Sequence, residues 1–340
     1  MFDRFALADL SVRVLGAPMA GGPSTPALAA AISEGGGLGF LAAGLQSAEE
    51  MADSILAARR LTSGPIGVNL FVPQRSGATL EELGAFAAAL EDDAEFYGVA
   101  LGEPRGDDDE WESKLEVLCD LRPEVVSFTF GSPNESAYRR LGDAGILTLA
   151  TVTTVHEAVL AVSFGADGVI AQGPDAGGHR ATFDARATPP GEPLDDLVSA
   201  LAACFDCPII AAGGLTTAAA VRRMRAAGAA AVQVGTAFLL ADEAGTNPVH
   251  RAALRDPQFS QTVLTRAFTG RYGRALRNRF VDRHEAHAIF GFPQVAMITG
   301  PIQAAAVKLG DPQGVGMWAG TAYRHARTGP AIDIVRQLAG

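Results

Sequence analysis

The strongest constraint on how this chain folds is a recurring beat. Short apolar runs start at Val125, Ile146, Gly168, Pro208 and Ala231, and alanine-rich stretches fill residues 136–141, 154–164, 194–203 and 216–227 between them. Several of those stretches end in glycine, which terminates helices readily because it tolerates the left-handed conformation. Units of strand, loop, helix and loop build parallel sheets whose two faces are both covered. Three further strand candidates begin at Val12, Leu38 and Pro65, which makes eight. Eight such units predict an α/β fold, a (β/α)8 TIM barrel, in preference to an open doubly wound sheet.

The beat is interrupted twice. From Pro73 to Asp109 the pattern loosens into one helical stretch, 80–90, and then Gly, Pro and the acidic run Asp107-Asp108-Asp109-Glu110, read as a solvated face. After Ala241 the beat stops: 247–256, 259–264 and 284–290 read as helical or irregular pieces, and 298–309 as a helix. The expected division is a barrel of residues 1–72, 108–241 and 301–340. Residues 73–107 and 242–300 would form a smaller, mostly helical second domain over its mouth.

The gap between Gly168 and Pro208 is nearly twice the others, and a long loop after a barrel strand is where such enzymes keep their chemistry. This loop carries Gly177, Gly178 and His179. Two glycines let a flat ligand approach backbone, and imidazole is the side chain that titrates near neutral pH unaided. A mobile turn with a solvated histidine is the alternative. After the seventh strand comes Gly213-Gly214-Leu215-Thr216-Thr217, and the eighth ends in Gln233-Val234-Gly235-Thr236. Bare amides and a helix N-terminus capped by Thr216 or Thr217 suit an anion, and loops seven and eight are a recurrent phosphate site in barrels. Asn69 lies inside the apolar run 65–71, where a cofactor contact and a structural hydrogen bond are equally open.

Composition excludes several classes. A net charge of −11 argues against nucleic-acid partners, and 48% hydrophobic residues against a disordered chain. No run is long enough to span a membrane, and the N-terminus, Met1-Phe2-Asp3-Arg4-Phe5, lacks the pattern of a signal peptide. Three cysteines make no disulfide framework, so a cytoplasmic protein is expected. Cys204 and Cys207 have Cys-x-x-Cys spacing, but no second pair completes a metal site. Gly35 to Gly39 follow a helix and open a strand, the reverse of a dinucleotide fingerprint. His156, His250, His284, His287 and His325 take ordinary structural roles in this reading, and Tyr272 either borders the substrate or packs.

The ordered set Ala17-Pro18-Met19-Ala20-Gly21, Gly67-Val68-Asn69-Leu70-Phe71, Gln172 through Ala176-Gly177-Gly178-His179-Arg180, Ala212-Gly213-Gly214 and Gln233-Val234-Gly235-Thr236 resembles the nitronate monooxygenases, formerly called 2-nitropropane dioxygenases. Phe268-Thr269-Gly270-Arg271, Arg277-Asn278-Arg279-Phe280 and Met317-Trp318-Ala319-Gly320 extend the likeness along nearly the whole chain. The resemblance implies a barrel that holds FMN non-covalently and oxidises alkyl nitronates, notably propionate 3-nitronate, with dioxygen to a carbonyl and nitrite. It implies FMN contacts at Met19, Asn69, Gln172, Gly177, Gly178, Gly214, Gln233, Gly235 and Thr236, and the phosphate reading adds Gly213 and Val234. It makes His179 the active-site histidine, holding the anionic nitronate or acting as base toward a neutral nitroalkane. Asp175 stands where the family usually has Glu and Thr321 where Gln is common, which bears on substrate preference. No metal is implied; the partners are the small-molecule nitronate and dioxygen, with neither nucleic acid nor membrane, and a homodimer is left open. Two rival readings share the barrel: an FMN-dependent NAD(P)H enoyl-acyl-carrier-protein or quinone reductase, and a non-catalytic flavin-binding barrel.

Overall fold

The structure, a computed structural model, describes residues 4–74, 76–106 and 108–340. Met1 to Asp3 of the N-terminal stretch, and Asp107 of the acidic run, lie outside the described residues. The strands in chain order are β1 (Val14–Gly16), β2 (Gly39–Ala42), β3 (Ile66–Phe71), β4 (Val125–Thr129), β5 (Leu147–Val152), β6 (Gly168–Gln172), β7 (Gly178–His179), β8 (Ile209–Ala212), β9 (Ala231–Val234), β10 (Thr262–Thr265) and β11 (Gly273–Leu276). An eight-stranded parallel sheet runs in the order β1, β9, β8, β6, β5, β4, β3, β2. The Leu15–Leu38 bridge and the bond from Gly16 N to Leu38 O at 2.9 Å join its two edges, so the sheet closes into the TIM barrel. Inside, Leu15, Leu38, Leu149, Ile170 and Ile210 pack with Leu7 and Leu10 of the N-terminal segment.

The helices are α1 (Pro26–Glu34), α2 (Ala48–Leu61), α3 (Leu80–Ala89), α4 (Glu91–Tyr97), α5 (Trp111–Leu121), α6 (Glu135–Asp143), α7 (Val155–Ser163), α8 (Leu194–Cys204), α9 (Ala218–Ala226), α10 (Pro248–Ala253), α11 (Arg279–His284), α12 (Gln294–Leu309) and α13 (Ala331–Ala339). Local chemistry sets several starts: Thr25, Ser47, Thr154 and Thr217 each accept a first-turn backbone N–H. Among the described residues, no helix is long and apolar enough to cross a membrane.

Away from the barrel core, a second apolar cluster joins Leu83 and Phe86 of α3 to Phe268, Phe280, Ile298 and Ile302. Here the structure departs from the sequence reading. The stretch 259–264 read as helical or irregular, yet Thr262–Thr265 is strand β10, paired antiparallel with β11, which in turn pairs with β7. The missing signal is a partner: the sheet's third strand is a two-residue piece of the distant His179 loop. Residues 80–90 read as one helix, but α4 follows α3 at once and ends at Gly98 in the left-handed conformation (φ 64°). α12 begins before residue 300, so the boundary drawn at 300/301 falls inside a helix. Asp109 and Glu110, read as solvated, bind the loop after β2. Asp109 pairs with the buried Lys114 at 2.8 Å and accepts from Leu45 N, and Glu110 accepts from Ala48 N.

Candidate active site

The C-terminal ends of the barrel strands open into a cavity of about 410 Å³, within the range of small-ligand sites. Its wall holds Met19 from the loop after β1, Asn69 from β3 and Gln172 from β6. It also holds Gly177, Gly178 and His179, then Gly213 and Gly214 after β8, then Gln233, Val234, Gly235 and Thr236 at the end of β9. The histidine and all the residues expected from the sequence to contact the cofactor therefore line one space.

The glycines are required by geometry at two points. Gly213 and Gly214 have φ of 116° and 70°, a conformation side chains rarely adopt. A Cβ on Gly177 would lie 2.4 Å from Gly320 N and 2.5 Å from Ala319 C, so the His179 loop and the 318–320 turn touch backbone to backbone. Thr217, not Thr216, caps α9, accepting from Ala220 N at 3.3 Å. Thr236 Oγ1 accepts from Gly320 N at 3.0 Å.

Two of the amides have structural work. Asn69 Nδ2 donates to Ser127 Oγ at 2.9 Å and Thr129 Oγ1 at 3.0 Å, tying β3 to β4. Gln172 Nε2 donates to His179 O at 3.0 Å while its Oε1 accepts from Ala181 N at 3.0 Å and Arg180 Nε at 3.2 Å, folding the loop back on its own strand. Gln233 is different. Its Nε2 is buried and has no partner among the described residues.

His179 is held at its backbone by β11, opposite Gly273, and at its ring by Thr269, whose Oγ1 lies 2.9 Å from Nε2. Phe130, Phe292 and Trp318 surround the imidazole at centroid distances of 5.5, 5.5 and 5.1 Å. Behind it, the Arg271 guanidinium sits 3.9 Å from the Phe130 ring centroid. Its Nη1 donates to Gln74 Oε1 at 2.7 Å, and its other nitrogens donate to the carbonyls of Arg180 and Thr182. Burial, and then the Arg271 charge, hold the His179 imidazole down to about 3, so the ring is neutral at physiological pH. Arg271 is itself lowered to about 10 by burial and keeps its charge.

Sequence reasoning missed part of the wall. Phe71, Phe130 and Trp318 line it, and so does His250, to which the sequence assigned only an ordinary structural role. His250 is 4% exposed, its Nε2 has no partner among the described residues, and burial lowers it to about 4. Its position after the Asn247-Pro248 cap signals only a helix start; the burial comes from the fold. His284 is also buried, 2.7 Å from Asp93. Tyr272 is absent from the cavity wall and packs on Phe290 and Arg266. Asp175 and Thr321, the two departures from the family pattern, lie outside the wall, with Thr321 N donating to Asp175 O at 3.1 Å. The cysteines are free, and the described residues contain no cluster suited to a metal.

A closed β/α barrel with a lined cavity and a half-buried imidazole at the carboxyl ends of its strands defines the class: a barrel enzyme. Comparison with known proteins gives the family. The model of the nitronate monooxygenase family matches residues 5–340, and the chain belongs to that family, which makes it an oxidoreductase. It is 36% identical to the nitronate monooxygenase of Pseudomonas aeruginosa over 99% of this chain and 98% of that protein. A nitroalkane oxidase structure from Streptomyces ansochromogenes is 44% identical with a TM-score of 0.95, covering 98% of this chain and 96% of its own. The structure of FabK from Thermotoga maritima is more distant, at 25% identity and a TM-score of 0.75, covering 98% and 93%.

Proposed function

We propose that the cavity binds FMN without a covalent link and that the enzyme uses dioxygen to oxidise alkyl nitronates, of the propionate 3-nitronate type, to a carbonyl compound and nitrite. The observation that carries this reading is one cavity lined both by the glycine turns 213–214 and 235–236 and by His179. The residues present fit the cofactor. The buried, unpartnered Gln233 Nε2 is a donor of the kind a flavin's carbonyls and ring nitrogens satisfy, and leaving such a donor unpaired costs about 1–3 kcal/mol. Gly213, Gly214, Gly235 and Thr236 would hold the phosphate. Met19, Asn69, Gln172, Gly177, Gly178, Gln233 and Val234 would line the rest. Bound there, FMN supplies acceptance of electrons from the substrate and their passage to dioxygen.

The chain's own groups position the substrate. His179, neutral, meets the nitronate by hydrogen bonding, and the buried Arg271 behind it supplies the positive field that favours an anion. Phe71, Phe130 and Trp318 give that end of the cavity an apolar wall that excludes water and strengthens both effects. We assign residues 73–107 and 242–300 to the smaller domain; the second apolar cluster joins residues of both segments and also takes in Leu239, Ile302, Met317 and Tyr323 from the barrel segments. The three free cysteines suit the cytoplasmic location we assign.

The test is purification, flavin extraction and assay of nitrite and oxygen with propionate 3-nitronate. Yellow protein that releases nitrite is expected, with His179→Ala reducing kcat/KM by about 100-fold while retaining flavin. A colourless protein that takes up no FMN would end this reading. NAD(P)H oxidation driven by an enoyl thioester or quinone, without nitronate turnover, would put a reductase in its place.

A further inference from the structure

We propose that the cavity has a second arm, walled by His250, which binds the far end of the substrate's carbon chain and prefers chains that end in a hydroxyl group. This rests on the nitronate-oxidising reading above and names the substrate class within it. The arm is the stretch of wall left over by the cofactor contacts and by the surroundings of His179. It consists of Leu239, His250 of α10, Gln303, Ala304 and Val307 of α12, and Gly316. Positions 303, 304 and 307 share one face of a helix, so α12 forms a continuous side of it. Gly316 is two residues from Trp318, which lines the same cavity and packs on His179 at a centroid distance of 5.1 Å. The arm therefore adjoins the end of the cavity where the nitronate is held.

Gln303 and His250 differ in what they have to offer. The Gln303 amide is spent inside the fold: Nε2 donates to Thr299 Oγ1 at 3.0 Å and Oε1 accepts from Gly316 N at 3.1 Å. The His250 imidazole is 4% exposed and its Nε2 has no partner among the described residues. Its backbone is nonetheless firmly placed. Asn247 Oδ1 accepts from His250 N at 2.9 Å, and the neighbouring Arg251 guanidinium ties α10 to the 239–241 turn by donating to Leu240 O and Ala241 O, each at 2.9 Å. A buried polar group held in place without a partner is a group that a ligand can satisfy.

Charge selects among the possible chain ends. Among the described residues the cavity wall contains no Asp, Glu, Lys or Arg, and burial alone keeps the His250 imidazole neutral. A terminal carboxylate would be buried there with no cation opposite it, which is costly. A plain alkyl end would fit against Leu239, Ala304 and Val307 but leave the imidazole unpaired. A hydroxyl is neutral and both donates and accepts, so it satisfies a neutral imidazole in either tautomer. The reacting carbon stays at His179, and no bond forms or breaks in the arm.

The test measures nitrite release by the FMN-loaded enzyme from butyl, pentyl and hexyl nitronates, each with a plain, a hydroxyl or a carboxylate end. At the chain length that fits, the hydroxyl should lower KM about tenfold against the plain chain with kcat unchanged, the scale of one hydrogen bond to a buried group, and the carboxylate should bind worse than either. His250→Leu should erase the hydroxyl preference, and His250→Gln, which keeps a polar end, should retain part of it. Calorimetric titration of the same holoenzyme with pentan-1-ol and 1-chloropentane reads the arm without turnover: the alcohol should bind about tenfold more tightly, and His250→Leu should bind the two alike. Three results each overturn the inference: no hydroxyl preference at any length, a preference that survives in His250→Leu, or a His250→Leu enzyme whose defect is loss of FMN. Should wild type oxidise no nitronate, the functional reading fails, while the alcohol titration still decides the arm.

Discussion

Acid should destabilise this protein through the buried His250. The imidazole is 4% exposed, its Nε2 is unpartnered among the described residues, and burial alone lowers it from 6.5 to about 4. A lowered folded-state value means that between pH 6.5 and 4 the unfolded chain binds the proton and the folded one does not. Stability therefore falls as the pH drops through that window and levels off below it. At about pH 5 the difference is roughly one and a half pH units' worth of proton binding, or about 2 kcal/mol. The assay is urea unfolding of wild type and His250→Gln at about pH 7.5 and again at about pH 5. Gln cannot titrate, and any packing cost it brings is the same at both pH values, so it cancels. Wild type should lose about 2 kcal/mol more than the variant on acidification. Equal losses would refute the reasoning, because they would mean that His250 takes its proton without leaving the fold.

Two further changes probe the cavity. Gln233→Leu removes a buried amide that has no partner among the described residues. The FMN-free protein should melt at the same or a higher temperature while FMN affinity falls about tenfold, the scale of one lost hydrogen bond. An unchanged affinity would take Gln233 out of the cofactor site. Gly177→Ala places a methyl group 2.4 Å from the backbone nitrogen of Gly320, which a side-chain rotation cannot relieve. A loss of about 1–3 kcal/mol in stability and poor flavin retention are expected, and an unaltered melting temperature would show that the two loops are free to part.

The barrel was legible because parallel strands are buried on both faces and read as unbroken apolar runs. The eight starts read from the sequence fall within two residues of the observed strands. The cavity wall was legible because its backbone demands are local: a left-handed turn at Gly213-Gly214 needs glycine whatever surrounds it. Contacts that reach across the chain left no such trace. Nothing near Thr262 announces a strand whose sheet ends at residues 178 and 179, and nothing near His250 announces burial. The acidic run had the composition of a solvated face, yet Asp109 pairs with Lys114, which is 1% exposed.

His179 shows where the division falls. Its place at the end of a barrel strand follows from Gln172, Gly177 and Gly178, all within the same short stretch. Its electronic state does not. An imidazole read in isolation titrates near neutral pH; here Phe130, Phe292 and Trp318 strip it of water while Arg271 opposes a second positive charge. Three of those four come from segments more than a hundred, or nearly a hundred, positions away in the chain. A substitution at any of them can therefore change how His179 meets a proton without altering the motif that carries it.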